Sequence, residues 1–130
     1  IRELEEYLCA FVDLLYQQRD YRLESPEDLI KAVRHHIQQH YMEELTLEAL
    51  ADKVHLSPSY LSKLFKRETG ENLSVYIQGV RIRQAKILLR TTDLKTYEVA
   101  ERVGISDPVY FSRTFKKITG MKPKDFRHAE

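Results

Sequence analysis

The chain has 130 residues, 42% of them hydrophobic, with 4 glycines, 4 prolines, a single cysteine and a formal net charge of +1. That length sets one domain or two very small ones, the apolar fraction suffices for a packed core, and the sparse Gly and Pro favour helices over a many-turned β fold. Cys9 alone excludes an intramolecular disulfide and fits a reducing compartment, the cytoplasm, while the longest apolar run, the five residues Leu8–Val12, is too short for a signal peptide or a membrane span.

Residues 1–18 place Leu4, Leu8, Phe11 and Leu15 on one helical stripe. This stripe either folds back on the rest of the chain or forms a two-helix homodimer seam, flanked by Tyr7 and Leu14. A second helix is announced by Ser25-Pro26-Glu27-Asp28: a cap hydroxyl, a proline at the first helical position, and acids in the positive first turn. Its stripe is Leu29/Ile30, Val33, Ile37 and Tyr41. Thr46 then caps a short helix with Leu47, Leu50, Ala51 and Val54 inward. His55-Leu56 is a turn, and His55 stands where a left-handed residue is tolerated. Ser57-Pro58 opens the next helix, with Leu61, Leu64 and Phe65 inward and Gly70 as its stop. Asn72 or a neighbour caps a long helix to about Leu89, with Val75/Tyr76, Val80, Ala85 and Leu88/Leu89 as its apolar set. Thr96 or Lys95 starts another short helix carrying Val99, Ala100 and Val103. Gly104-Ile105-Ser106 turns the chain. Asp107-Pro108 opens a helix with Phe111, Thr114, Phe115 and Ile118 inward, ended by Gly120, and Pro123 and Phe126 echo Leu73 and Tyr76. No segment alternates with period two, so the expected fold is all-α.

This order contains a repeat. Sliding Ser57–Gly70 onto Asp107–Gly120 gives 14 pairs, seven of them identical: Pro58/Pro108, Tyr60/Tyr110, Ser62/Ser112, Phe65/Phe115, Lys66/Lys116, Thr69/Thr119 and Gly70/Gly120. Upstream the match continues with a shift of 49, Leu50–Val54 facing Val99–Val103, so one residue is inserted between two separately preserved blocks. Two elements joined by a turn, present twice, is the expected unit. Two short helices with the second capped by Ser/Asp-Pro form a helix-turn-helix pattern, whose second helix enters the DNA major groove. The outward face of that helix is Ser59, Ser62, Lys63 and Lys66 in the first copy. It is Val109, Ser112, Arg113 and Lys116 in the second. Lys63 and Arg113 can donate to guanine O6 and N7, and Val109 can pack on a thymine methyl. Ser57, Lys66 and Lys116, with the free N–H groups at each helix start, are placed to take phosphate oxygens. Charge agrees: residues 46–130 hold 16 Lys and Arg against 10 Asp and Glu, whereas residues 1–45 hold 5 against 10. A basic region beside an acidic one points to a polyanionic partner for the basic part.

From Val99-Ala100 through Val103-Gly104-Ile105, Tyr110–Lys117, Gly120, Pro123 and Phe126-Arg127, the sequence resembles the DNA-binding domain of the AraC/XylS family of bacterial transcription regulators. Tyr76-Ile77, Arg81-Ile82, Ala85-Lys86 and Leu88-Leu89 are similar to that family's linker helix, and the resemblance covers about residues 29–127. It implies two helix-turn-helix motifs, about 46–70 and 95–120, joined by a linker helix of about 72–90, within a domain of 29–130 that follows an N-terminal helical segment of 1–28. It further implies double-stranded DNA as partner, RNA polymerase as a second one, no cofactor, and base-facing roles for Ser59, Ser62, Lys63, Val109, Ser112 and Arg113. The order of helical segment then domain is similar to YesN-type response regulators, which carry a phosphoacceptor domain ahead of it. A chain starting at Ile1 rather than Met fits a piece of such a protein. Two tandem reading helices with different faces imply a non-palindromic site of two unlike blocks about 10 base pairs apart, one helical turn of about 34 Å.

Other functions fit the residues poorly. His36 and His40 stand at i, i+4 but no Glu completes a zinc-protease pattern, and Cys9 has no activating neighbour in sequence. The remaining rival is a helical protein-interaction module without DNA readout, which salt-dependent DNA binding would separate from the first reading.

Overall fold

The computed structural model describes residues 25–129. Within them lie seven α-helices and no strand: α1 Pro26–His40, α2 Leu47–Lys53, α3 Pro58–Thr69, α4 Leu73–Thr91, α5 Thr96–Arg102, α6 Pro108–Thr119 and α7 Pro123–His128. The stripe Leu4/Leu8/Phe11/Leu15 and Cys9 lie outside the described residues. The sequence boundary at residue 28 falls in the first turn of α1, where the Ser25 hydroxyl accepts from the Asp28 N–H at 3.2 Å.

Two compact units share the chain, 25–36 with 46–73 and 37–45 with 74–129. In the first, α2 packs on α3. Burial of Ile30, Val33, Leu50, Leu61, Leu64 and Phe65 follows the expected stripes. In the second, Ile82, Ala85 and Leu89 of α4 join Val99, Ala100 and Val103 of α5, Phe111 and Phe115 of α6, and Phe126 of α7 in one core. The Phe115 ring meets Phe111 at 5.8 Å and Phe126 edge-on at 5.4 Å, and the Arg90 guanidinium lies 4.5 Å over the Phe126 ring. Two arginines tie other segments to α4. Arg81 donates from Nε to the Tyr41 carbonyl and from Nη2 to that of Glu43, both at 2.9 Å, and Arg127 Nε donates to the Leu89 carbonyl at 3.0 Å. Burial draws the Arg81 pKa below its ordinary value, against an opposing pull from Tyr110.

The repeat is preserved in backbone detail. His55 at φ 59° and Gly104 at φ 92° occupy matching left-handed positions. In each turn the next residue reaches back five, Leu56 N–H to Ala51 and Ile105 N–H to Ala100, both at 2.9 Å, while His55 and Gly104 bond back three, to Asp52 and Glu101. This double closure satisfies the last carbonyls of α2 and α5. Gly70 and Gly120 end α3 and α6 at φ 83°. The Thr before each glycine explains its own recurrence: Thr69 Oγ1 donates to the Phe65 carbonyl and Thr119 Oγ1 to that of Phe115, and each accepts from the N–H two residues on.

Some inward assignments are corrected. Ile118 remains 46% exposed, because it lies in the last turn of α6, just before the chain turns away at Gly120. Glu68, its match in the first copy, is exposed too. Val75 is also exposed while its neighbour Tyr76 is buried, and Leu47, Val54, Tyr41 and Leu88 are only half-buried. Ile82, absent from the expected apolar set of the long helix, is fully buried. That helix runs two residues past Leu89, to Thr91.

The caps differ in strength. Ser57 Oγ accepts one N–H, from Tyr60 at 3.2 Å, whereas Asp107 Oδ1 accepts two, from Val109 at 2.9 Å and Tyr110 at 3.3 Å. Asp107→Ala is expected to cost about 1 kcal/mol in urea unfolding, and Asp107→Asn, which keeps the acceptor, markedly less. Equal losses would assign the stabilisation to the charge rather than to the cap bonds.

Candidate nucleic-acid interface

Each copy presents its reading helix through local chemistry. Proline at the first helical position has no N–H to leave unsatisfied, and the preceding Ser or Asp sets the entry of the chain. The inner faces of α3 and α6 are held by Leu61, Leu64 and Phe65 and by Phe111, Thr114 and Phe115. The opposite faces point outward. Ser57, Ser59, Ser62 and Lys66 are exposed on the first copy, and Lys63 is half-buried. On the second, Val109, Arg113 and Lys116 are exposed and Ser112 is half-buried.

Caps restrict what the helix starts offer. The Tyr60 N–H is taken by Ser57, and those of Val109 and Tyr110 by Asp107, whose carboxylate also opposes an approaching phosphate. These three N–H groups are engaged in cap bonds. The Ser57 hydroxyl, used as an acceptor, keeps its own O–H to donate outward. Cations must supply most of the attraction for phosphate.

On the second copy those cations converge. Ser112, Arg113 and Lys116 of α6 line a surface hollow with Thr96, Lys122, Pro123 and Lys124. A neighbouring hollow takes Ser112 and Arg113 again, with Val109, Pro108, Thr96 and Tyr97. Thus Val109, Ser112, Arg113 and Lys116 come together, joined by Thr96, Tyr97, Lys122 and Lys124, none of which was expected at the site. The repeat carries a signal for all four, since their matches in the first copy are Leu47, Glu48, Asn72 and Ser74, chemically unlike in every case. The hollow beside α3 is different. Thr46, Glu48, Ala49, Asp52, Leu56 and Pro58 line it, so it holds two acids and none of the expected reading residues.

Tyr110 stabilises the placement of α6. Its hydroxyl accepts from Gln78 Nε2 at 2.5 Å, linking α6 to α4, whereas the matching Tyr60 is buried. Among the described residues no group of three or more His, Cys, Asp or Glu is set to hold a metal, and His40 pairs with the Glu43 carboxylate. No helix among them is long and apolar enough to cross a membrane.

Comparison with known proteins agrees with this architecture. A family model described as a helix-turn-helix domain matches residues 50–129. The transcriptional regulatory protein YesN of Bacillus subtilis is 44% identical over 84 residues, which are 63% of this chain and 23% of YesN. The chain therefore spans about a quarter of that relative's length. Among solved structures, the C-terminal domain of AraT, a response regulator from Geobacillus stearothermophilus, aligns with a TM-score of 0.76 and 37% identity over 78% of this chain and 85% of that one. The DNA-binding domain of the global transcriptional factor AdpA, solved with a target DNA, aligns with a TM-score of 0.73 and 28% identity over 76% of this chain and 89% of that one. With its duplicated motif, its shared turn geometry and a matching model over both copies, the chain belongs to the AraC-type helix-turn-helix family of transcription regulators.

Proposed function

We propose that the chain is the DNA-reading output module of a bacterial response regulator, with α3 and α6 as its two major-groove helices. The observation that carries this is the start of α6. There, groups able to read base edges (Ser112, Arg113) stand between a cation-lined hollow and an apolar one. Phosphate attraction positions such a helix and base-edge contacts specify its site. In the first copy Ser59, Ser62 and Lys63 take the base-facing role, with Ser57 and Lys66 beside them for the backbone.

Because the two sets of reading residues differ, one chain should recognise two unlike blocks, about 10 base pairs apart. Site selection from random duplexes, followed by footprinting, tests this. A single protected block would mean that only one copy reads DNA. Arg113→Ala and Lys63→Ala are each expected to weaken binding to the selected duplex by about 1–3 kcal/mol and to relax preference at one base pair. Lys117→Ala and Arg67→Ala, on exposed positions away from the reading face, should matter less and without sequence preference. Four equal effects would show that the faces are misassigned.

The larger protein acts in the cytoplasm as a non-enzymatic regulator, with a phosphoacceptor domain preceding this module and RNA polymerase as its second partner. The stripe Leu4, Leu8, Phe11 and Leu15 leaves two alternatives, folding back on the domain or pairing two chains, and sedimentation decides between them. Charged residues at Leu8 and Phe11 should convert a sedimenting dimer to a monomer without loss of helix from residues 29–127, and a monomeric parent chain would end the pairing idea.

A further inference from the structure

Val109 at 61% and Tyr97 at 54% are the two most exposed large hydrophobic side chains among the described residues, and both line the hollow at the start of α6. Isolated exposed apolar groups are ordinary. These two come from different helices, α5 and α6, and meet with Pro108 in one apolar floor whose rim is Ser112, Arg113 and Thr96. The feature is specific to the second copy. Ser59 stands at the position of Val109 and Glu48 at that of Tyr97, so the first copy has a hydroxyl and an acid where the second has a β-branched and an aromatic side chain.

The surroundings limit what can fill this floor. Val109, Ser112 and Arg113 are spaced i, i+3, i+4 and share one helix face. Arg113 brings a fixed fork of donors beside the apolar floor. The adjoining hollow adds Lys116, Lys122 and Lys124. The occupant must therefore present a small apolar group next to hydrogen-bond acceptors and close to an anionic backbone. In the major groove a single group meets all three conditions, the C5-methyl of thymine, which lies beside the O4 acceptor.

We propose that Tyr97, Val109 and Pro108 form a methyl-reading pocket through which the second copy selects thymine at one position of its site, with Tyr97 as a specificity-determining residue supplied by α5. The inference rests on the reading that α6 enters the major groove. Arg113 serves the neighbouring base on the same groove edge.

Deoxyuridine differs from thymidine only by that methyl, so it isolates the contact. On the duplex obtained by site selection, each thymine is replaced singly by deoxyuridine and binding is followed by fluorescence anisotropy at fixed salt. With the unmodified chain, one replacement in the block protected by the second copy should weaken binding by about three- to fivefold, the loss expected for withdrawing one methyl from an apolar contact. Val109→Ser and Tyr97→Glu, each copying the first repeat, should bind the thymine and deoxyuridine duplexes equally. Both positions are exposed, and circular dichroism confirms that helix content is kept. The pocket is overturned if no thymine registers, or if the same replacement costs both variants as much as the parent. Arg113→Ala on the unmodified duplex separates the two levels. A loss there with no thymine effect removes the methyl pocket and leaves groove reading by α6, whereas no loss in either measurement removes both.

Discussion

Raising the salt from about 50 to about 200 mM is expected to weaken binding to the selected duplex by about 150-fold. The estimate starts from side chains. Lys66 on α3 and Lys116, Lys122 and Lys124 around α6 are exposed cations beside the reading faces. Roughly four phosphate contacts give a slope of about −3.6 in log affinity against log salt for duplex DNA, and a fourfold rise in salt then gives the stated loss. The double substitution Lys122→Ala with Lys124→Ala should flatten the slope by about 1.8, with little change in which sequence is preferred. The matching pair in the first copy, Asn72 and Ser74, carries no charge to lose, so their replacement should leave the slope unchanged. A slope near zero in the parent chain would end the nucleic-acid reading and favour a protein partner. The measurement reports phosphate contact alone, so it complements the deoxyuridine test, which reports a base.

Substituting Gly104 by alanine is expected to destabilise the fold by about 3 kcal/mol, more than the same change at Gly70 or Gly120. Two costs combine. The residue sits at φ 92°, where an L side chain is strained by about 1–2 kcal/mol. An added Cβ would also lie 2.7 Å from the Tyr41 carbonyl oxygen and 3.1 Å from that of Met42, which are backbone atoms and cannot rotate aside. The Tyr41 carbonyl already accepts from Arg81 Nε, so moving it would break a half-buried charged hydrogen bond. Gly70 and Gly120 provide the control. Both have φ 83°, but nothing lies within 4 Å of a Cβ built there, so alanine at either should cost only the conformational strain, about 1 kcal/mol. His55, which matches Gly104 and is exposed at φ 59°, shows that a side chain is tolerated at the same turn of the first copy. His55→Gly should change stability by less than about 1 kcal/mol, because relief of φ strain is offset by the greater entropy of the unfolded chain. Chemical unfolding of the four variants checks the order. If Gly104→Ala costs no more than Gly120→Ala, the close approach to Tyr41 is absent in solution.

Helix starts and stops are legible along the chain. Ser25-Pro26, Ser57-Pro58 and Asp107-Pro108 mark three helix starts, and Gly70, Gly120, His55 and Gly104 mark left-handed turns. Those signals were legible because a cap, a proline or a positive φ acts within a single turn of the chain, through groups only a few residues apart. The repeat reinforced those of the two copies, since Ser57-Pro58 is matched by Asp107-Pro108, Gly70 by Gly120 and His55 by Gly104. Tertiary structure alone decided which members of a stripe are covered. Periodicity puts Ile118 in line with Phe115 and Val75 beside Tyr76, yet in each pair one side chain is buried and the other faces water. It also decided that Tyr60 is buried while Tyr110, its match in the repeat, is 46% exposed and bonded to Gln78. The gathering of Tyr97, Lys122 and Lys124 around α6 belongs to the same class. The physical reason is common to all of these. Helical spacing fixes the direction of a side chain about its own axis, whereas burial and the make-up of a site depend on which distant segment lies across from it, and that is set by packing of whole elements against one another.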